Sequence, residues 1–277
     1  MRRVLRELVL RLARRLLGRR YFFRVSEALS LAARSEDQLE PESNGERLLQ
    51  RLVAGALPPG EELVVFDVGA NVGEWTSAMH RLRGDGRLRV YAFEPAPAIA
   101  ARLEERVAKL GDSVRVIRAA ATESDGSTQF FFRADNPLIS SVADFGGVAA
   151  EAIQVPTLRL DTLASRERIG RIHLLKVDAE GYDLVVLRGA AALLREKRID
   201  VVQFEYNFLW IYSRHFLRDA FELFEPHGYR IGKLTRDGVE FYARWQPQME
   251  SFHHANFVAC LPEWRERLQP QAPPWPE

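Results

Sequence analysis

The sequence predicts an α/β fold with a mainly parallel sheet, and three observations carry that prediction. VVFDVGANVGEWT, residues 64–76, is an apolar strand that ends on a carboxylate, turns through glycines and enters a helix. From residue 63 to residue 227, apolar runs of strand length alternate with helical patterns, the order that builds parallel sheets. IHLLKVDAEGYDLVVLRGA, residues 172–190, repeats the arrangement of buried strand, acidic tip and helix.

Taken in chain order, residues 1–57 read as helical, broken near Pro41 and the Ser43-Asn44-Gly45 turn signal. Pro58-Pro59-Gly60 marks a boundary before the first strand. Strands are expected at 63–67, 88–93, 114–118, 172–178 and 200–205, with helices near 73–83, 96–110, 182–196 and 216–227. Residues 128–133 and 153–158 read as an inserted hairpin around the loop 135–147. IGKL, VEFYARW and NFVACL read as closing strands with a hairpin among them, and residues 269–277 are a Pro-rich tail.

Composition narrows the class. Of the 277 residues 47% are hydrophobic, enough for a full core, so disorder is not the default. The lone cysteine, Cys260, excludes a disulfide within the chain and a Cys/His zinc cluster, and NFVACL reads it as a core residue. The formal net charge is +1, but residues 1–20 hold eight arginines and one acid, Glu7, for +7, which leaves −6 for the rest. A body of that sign is not expected to bind nucleic acid.

The arginines also interrupt the N-terminal apolar residues too often for a signal-peptide core, and no stretch approaches a membrane span. A cytoplasmic protein is expected. Val4, Leu5, Leu8, Val9, Leu12 and Leu16 recur at helical spacing. Three readings stand for that segment: a peripheral helix with solvated arginines, contact with an anionic membrane surface, or a protein or acidic-glycan partner.

The glycine turn indicates the ligand. A dinucleotide turn reads G-x-G-x-x-G against a pyrophosphate. Here Gly69 is followed by Asn71 and Gly73, Glu74 stands where a third glycine would fall, and Asp67 precedes the turn. Two carboxylates disfavour a pyrophosphate in a partly desolvated cleft. S-adenosylmethionine, with its sulfonium, ammonium and ribose, suits an acid-flanked turn. Glu94 closes the strand RLRVYAFEP 21 positions beyond Gly73, where an acid can accept hydrogen bonds from both ribose hydroxyls. Pro95 then ends that strand.

With FDVGANVG, YAFEP and LRLDTL (158–163), KVDAEG resembles the FkbM family of S-adenosylmethionine-dependent methyltransferases. The signature K-[IV]-D-x-E-G appears as Lys176, Val177, Asp178, Ala179, Glu180 and Gly181, and the resemblance covers roughly residues 60–262. It implies a Rossmann-like seven-stranded class I methyltransferase fold with the last strand antiparallel, here over residues 58–268 behind an N-terminal helical extension (1–57). It also implies O-methylation of hydroxyls, often on sugars or polyketide-type products. The alternatives are a small-molecule N- or carboxyl-methyltransferase, or a binding module without turnover. Carried onto this chain, Asp67, Gly69, Asn71 and Gly73 contact the methionine part and Glu94 holds the ribose. Ala120 and Ala121 pack on the adenine, whose amino group Thr122 or Glu123 could reach.

Acids at strand ends suggest how the acceptor's proton leaves. Asp178 and Glu180 close the fourth strand and Glu205 the fifth, where open α/β sheets bind ligands. Asp178 or Glu205 is expected as general base, with His215 a second candidate. A divalent metal held by Asp178, Glu180 and Glu205 is a third, less favoured option; their oxygens suit magnesium or calcium. Helix capping alone would also explain Asp178, and a solvated helix start Glu180. Lys176 could neutralise these acids or contact a substrate. Phe208, Trp210 and Tyr212 could pack on a sugar or cover the core, and Asn207, Arg214 and His215 could bind its hydroxyls. The adjacent His253 and His254 point different ways in a strand, so a shared metal is not expected. DNPL at 135–138 resembles the [DN]-P-P-[YF] motif of amino-group methyltransferases, but KVDAEG occupies that motif's place at the fourth strand.

Overall fold

A computed structural model of the chain describes residues 2–132 and 151–269. DNPL, the loop 135–147 and most of the Pro-rich tail lie outside the described residues. Two compact units divide the chain, Met1–Gln38 and Leu39–Glu277.

The first unit is a pair of helices, α1 (Arg2–Leu17) and α2 (Arg19–Arg34). Gly18 separates them with φ of 71°, a left-handed backbone that glycine adopts without steric cost. The sequence pattern shows no break there, because Gly18 sits inside an otherwise continuous helical periodicity. Ser35, also left-handed, ends α2, and the N–H groups of Ser35 and Glu36 donate to the carbonyls of Ala32 and Leu31.

The larger unit begins with α3 (Glu46–Ala54), started by Asn44, whose Oδ1 accepts from the Glu46 N–H at 2.9 Å. Leu49 and Val53 are fully buried in the main core, and Gln50 Nε2 donates to the Trp75 carbonyl at 3.0 Å. The expected boundary after residue 57 therefore moves to residue 38: α3 belongs to the body because its apolar face packs there.

The chain then runs β1 (Leu63–Val68), α4 (Glu74–Arg83), β2 (Leu88–Phe93), α5 (Pro97–Val107), β3 (Val114–Ile117), β4 (Ala120–Ala121), β5 (Gly126–Phe132), β6 (Glu151–Leu158), α6 (Leu160–Arg166) and β7 (Ile172–Val177). It continues through α7 (Asp183–Arg188), α8 (Ala191–Arg195), β8 (Ile199–Tyr206), α9 (Trp210–Ser213), α10 (Leu217–Phe224), β9 (Arg230–Thr235), β10 (Gly238–Phe241), β11 (Ala255–Cys260) and α11 (Arg265–Leu268).

The main sheet has eight strands in the order β10-β9-β11-β8-β7-β1-β2-β3. From β3 to β8 the pairs are parallel; β11 runs antiparallel between β8 and β9. The parallel strands read as continuous apolar runs because helices cover both faces, and every residue of β1 is buried. The eighth strand, beyond the seven expected, is β10. It forms a hairpin with β9 at the sheet edge, where Thr235 Oγ1 donates to the Gly238 carbonyl. The inserted hairpin, β5 with β6, joins β4 in a separate three-stranded sheet. Its Phe130 and Val155 pack with Ala96, Ile99 and Ala120 beside the start of α5.

This topology makes one crevice. The chain leaves β1 toward β2 and β3 on one side, and returns at β7 to build the other. The carboxyl ends of β1 and β7 therefore flank the switch point where open α/β sheets bind ligands.

Arg83 secures the approach to β1. Its buried guanidinium donates to the carbonyls of Ala54 and Leu57 through Nη1, of Pro58 and Glu61 through Nη2, and of Arg87 through Nε. One planar fork thus satisfies the end of α3 and the Pro58-Pro59-Gly60 turn. Arg83→Met should lower the free energy of unfolding by about 2–4 kcal/mol, because it orphans buried carbonyls. Arg83→Lys should recover little, since an ammonium lacks the fork. A urea melt checks both, and a change under about 0.5 kcal/mol for Arg83→Met contradicts the assignment.

Candidate functional site

The turn after β1 is bent by three left-handed residues, Gly69 (φ 73°), Asn71 (φ 48°) and Gly73 (φ 83°). Asparagine tolerates that region. Gly69 must be glycine for a second reason: a Cβ there would lie 1.9 Å from the Asp178 carbonyl oxygen. The turn can therefore lie directly against the end of β7, where the Asp178 N–H donates to the Val68 carbonyl at 3.1 Å.

Glu94 closes the neighbouring strand and is buried. Its Oε2 accepts from the Asn71 N–H at 3.1 Å and its Oε1 from the Ala96 N–H at 2.9 Å. Burial pushes its carboxyl up to about 7, and the two backbone donors offset only part of that rise. Between this carboxylate and the end of β7 lies a cleft of about 740 Å³, part of it open to solvent. Asn71, Glu94, Asp178 and Glu180 give it one polar side; Ile99, Ala120, Ala121 and Phe130 give it an apolar wall.

Lys176 lies behind the polar side. Its buried Nζ is 3.1 Å from Asp178 Oδ2 and 3.5 Å from Asp67 Oδ1, and it donates to the Gly69 carbonyl at 3.2 Å. Burial alone would favour the neutral amine, but Asp178 and Asp67 outweigh it and hold the lysine as a cation. Asp67 is fully buried, and its Oδ2 accepts from Thr76 Oγ1 at 2.5 Å. Burial raises the Asp67 carboxyl, and Lys176 and Thr76 oppose that rise. Of the two readings open for Lys176, the geometry is that of a cation neutralising acids.

A second group of acids adjoins the first. Glu180 sits on the cleft in a left-handed backbone position, φ 48°. Asp183 is fully buried; its Oδ1 accepts from the N–H groups of Ala179 and Glu205, and its Oδ2 has no hydrogen-bond partner. Burial, then the charges of Glu205 and Asp178, raise both carboxyls well above the ordinary range. Glu205 is engaged on both oxygens, by His254 Nε2 at 2.7 Å and Asn207 Nδ2 at 2.7 Å. Burial and Asp178 raise it, and His254 pulls it back. His254 is shifted toward its protonated form: burial opposes this, and Glu205 overcomes it.

Five of the seven residues expected at the cofactor line the cleft: Gly69, Asn71, Glu94, Ala120 and Ala121. Asp67 and Gly73 do not. Asp67 is turned under the strand to Thr76 and Lys176, and Gly73 faces α5, where a Cβ would meet Leu103 at 2.6 Å. Thr122 Oγ1 donates within its own loop to the Ser124 carbonyl, and neither Thr122 nor Glu123 lines the cleft.

Of the three candidate bases, Asp178 lines the cleft; Glu205 and His215 do not. His215 lies instead beside Arg188 Nη1 and Ser213 Oγ, and burial, then Arg188, lowers its affinity for a proton. Among the described residues no group of three His, Cys, Asp or Glu side chains is arranged to hold a metal ion, so Asp178, Glu180 and Glu205 do not form the ligand set considered.

Trp210 is core, with Nε1 donating to the Glu205 carbonyl, whereas Phe208, Ile211, Tyr212 and Phe216 are exposed. Asn207 is occupied by Glu205 and the Leu209 N–H. Sequence reasoning misses Asp183 and the contact of His254 with Glu205. The only signal for the second is the antiparallel register, which pairs Ala255 with Tyr206 and brings His254 level with the end of β8.

Residues 67–231 match the sequence profile of the family described as Methyltransferase FkbM domain. The chain is 27% identical over 144 residues to Hexuronic acid methyltransferase AglP of Haloferax volcanii, covering 52% of this chain and 56% of that protein. It is 30% identical over 161 residues to 31-O-demethyl-FK506 methyltransferase FkbM of Streptomyces tacrolimicus, covering 48% and 60%. The match thus spans little more than half the length of these relatives. The crystal structure of Methyltransferase FkbM from Methylobacillus flagellatus is 16% identical, with a TM-score of 0.44 over 74% of this chain and 45% of that one. The profile covers more than half of the chain, through both the glycine turn and KVDAEG: the chain belongs to the FkbM methyltransferase family.

Proposed function

We propose that the cleft binds S-adenosylmethionine and that the protein methylates a hydroxyl oxygen on a sugar or secondary metabolite. The buried Glu94 carboxylate carries this reading. A carboxylate offers about four acceptor positions. Two are taken by Asn71 and Ala96, which leaves two for the paired hydroxyls of a ribose. The apolar wall of Ile99, Ala120 and Phe130 suits a purine, and the acids at the other side suit a cation. The residues present therefore fit this cofactor. The relatives named for a hexuronic acid and for FK506 support a sugar or secondary-metabolite acceptor.

When bound, the cofactor supplies an electrophilic methyl and a neutral thioether leaving group. The chain's own residues then align the acceptor and take its proton. Asp178 suits the proton transfer, since it is the candidate base on the cleft, its side chain is 38% exposed, and Lys176 engages Oδ2. Asp178 would accept the acceptor's hydroxyl proton and so leave that oxygen free to take the methyl the cofactor would supply. Gly181 lets the Leu209 backbone approach the Glu180–Tyr182 edge of the cleft, and Phe208, Ile211 and Tyr212 are exposed in the segment around Leu209. They offer an apolar surface for the acceptor.

Two results test this reading. Ribose hydroxyls must donate to an ionised Glu94, whose carboxyl in the free protein titrates near 7. Affinity for S-adenosylhomocysteine should therefore rise with pH toward a plateau above about 7, falling roughly tenfold per unit below it. Glu94→Gln should weaken binding about tenfold to a hundredfold at high pH and flatten the curve. Calorimetry across pH checks both, and identical curves for the two proteins remove the ribose role. Asp178→Asn should cut methyl transfer by about 10²–10⁴-fold while S-adenosylhomocysteine still binds. The readout is mass spectrometry of glycans and metabolites from a deletion strain carrying either form, compared for the added methyl; full methylation by the variant ends the base assignment.

A further inference from the structure

We infer that the Met1–Gln38 unit is a docking element for an anionic membrane surface. Its described side chains bury little of their apolar surface. Seven of the thirteen large hydrophobic side chains exposed among the described residues belong to it. Leu12 is 59% exposed, Leu16 75%, Tyr21 60% and Leu29 66%, and no residue of α2 is buried. Exposed apolar side chains gathered on one face, rather than scattered singly, mark an interaction surface.

They are also ordered. Tyr21, Val25 and Leu29 follow one another at four-residue spacing and share a face of α2, and Leu12 and Leu16 do the same on α1. Arg20 and Arg24 run at the same spacing along a flank of the α2 face, and Arg11 and Arg15 along a flank of the α1 face. Through residue 24 the unit has nine arginines against the single acid Glu7. The rest of the chain is net negative, so the excess positive charge of the chain lies in this segment.

Charge sign and apolar exposure select the occupant together. A nucleic acid or acidic polysaccharide would use the arginines and leave the leucines and aromatics in water. A bilayer of anionic lipid uses both, the apolar stripe entering the headgroup boundary and the arginines staying with the phosphates. Neither helix is long and apolar enough to cross a membrane, so the element would lie in the interface plane.

Flotation of the full chain tests this. Vesicles of phosphatidylglycerol and phosphatidylcholine should carry the protein to the top of a gradient; vesicles of phosphatidylcholine alone should not, and salt should release it. The triple variant Leu12→Gln, Leu16→Gln, Leu29→Gln retains helix-forming side chains and should bind anionic vesicles at least tenfold more weakly. Arg11→Gln with Arg15→Gln, Arg20→Gln and Arg24→Gln should do the same. Affinity for S-adenosylhomocysteine should be unchanged in both, so the outcome is separate from that of the proposed reaction. Equal flotation with neutral vesicles, no flotation with anionic ones, or a triple variant that floats undiminished each overturns the inference. Retention on heparin without vesicle binding also overturns it, and assigns the segment to an acidic polysaccharide instead.

Discussion

The site depends on one buried cation. Lys176 joins the carboxyl ends of β1 and β7 by meeting Asp67 on one strand, Asp178 after the other, and the Gly69 carbonyl in the turn between them. Burying an ion pair is costly, and it is tolerated when the remaining lone pairs and protons find partners. Here Thr76 supplies one for Asp67 and Gly69 one for Lys176. Without the lysine, two carboxylates would face each other across the crevice with no counter-charge. With it, the glycine turn can press against Asp178 and hold open a cleft bounded by Glu94.

The charge of the site follows from that arrangement. Lys176 contacts two acids, and at the next acids outward, Glu180, Asp183 and Glu205, burial and the charge of Asp178 prevail and raise all three. His254 relieves Glu205 alone. A crevice lined by acids and, among the described residues, by no lysine or arginine is poorly matched to a phosphate and suits a cationic nucleoside. The same imbalance disfavours an acidic group at the point of attack and supports a neutral hydroxyl as acceptor on the proposed reading.

Local pattern made much of this legible. The glycine turn within residues 64–76 and the acid at the tip of β2 each lie within a short segment, and Gly69, Asn71 and Glu94 line the cleft. KVDAEG was legible for the same reason. What needed tertiary register was not. Asp67 reads as a cofactor contact in a linear motif, but its side chain turns under the sheet because Thr76, nine residues on, and Lys176 claim it. His254 meets Glu205 through the antiparallel pairing of β8 and β11, which no local pattern encodes. The membership of α3 in the body rests on Leu49 and Val53 finding the core, and a helical segment followed by prolines and glycine reads equally well as an extension. Trp210, aromatic among aromatics, is core for a reason of geometry: its indole N–H reaches the Glu205 carbonyl.

A crystal structure of the protein with S-adenosylhomocysteine bears most directly on the claim that Lys176 and Glu94 together shape a nucleoside site. The predicted result has both ribose hydroxyls within about 2.5–3.0 Å of the Glu94 carboxylate oxygens. The adenine lies against Ala120 and Phe130, and Lys176 still bridges Asp67 and Asp178. A nucleoside bound outside this cleft, or a ribose turned away from Glu94, contradicts it.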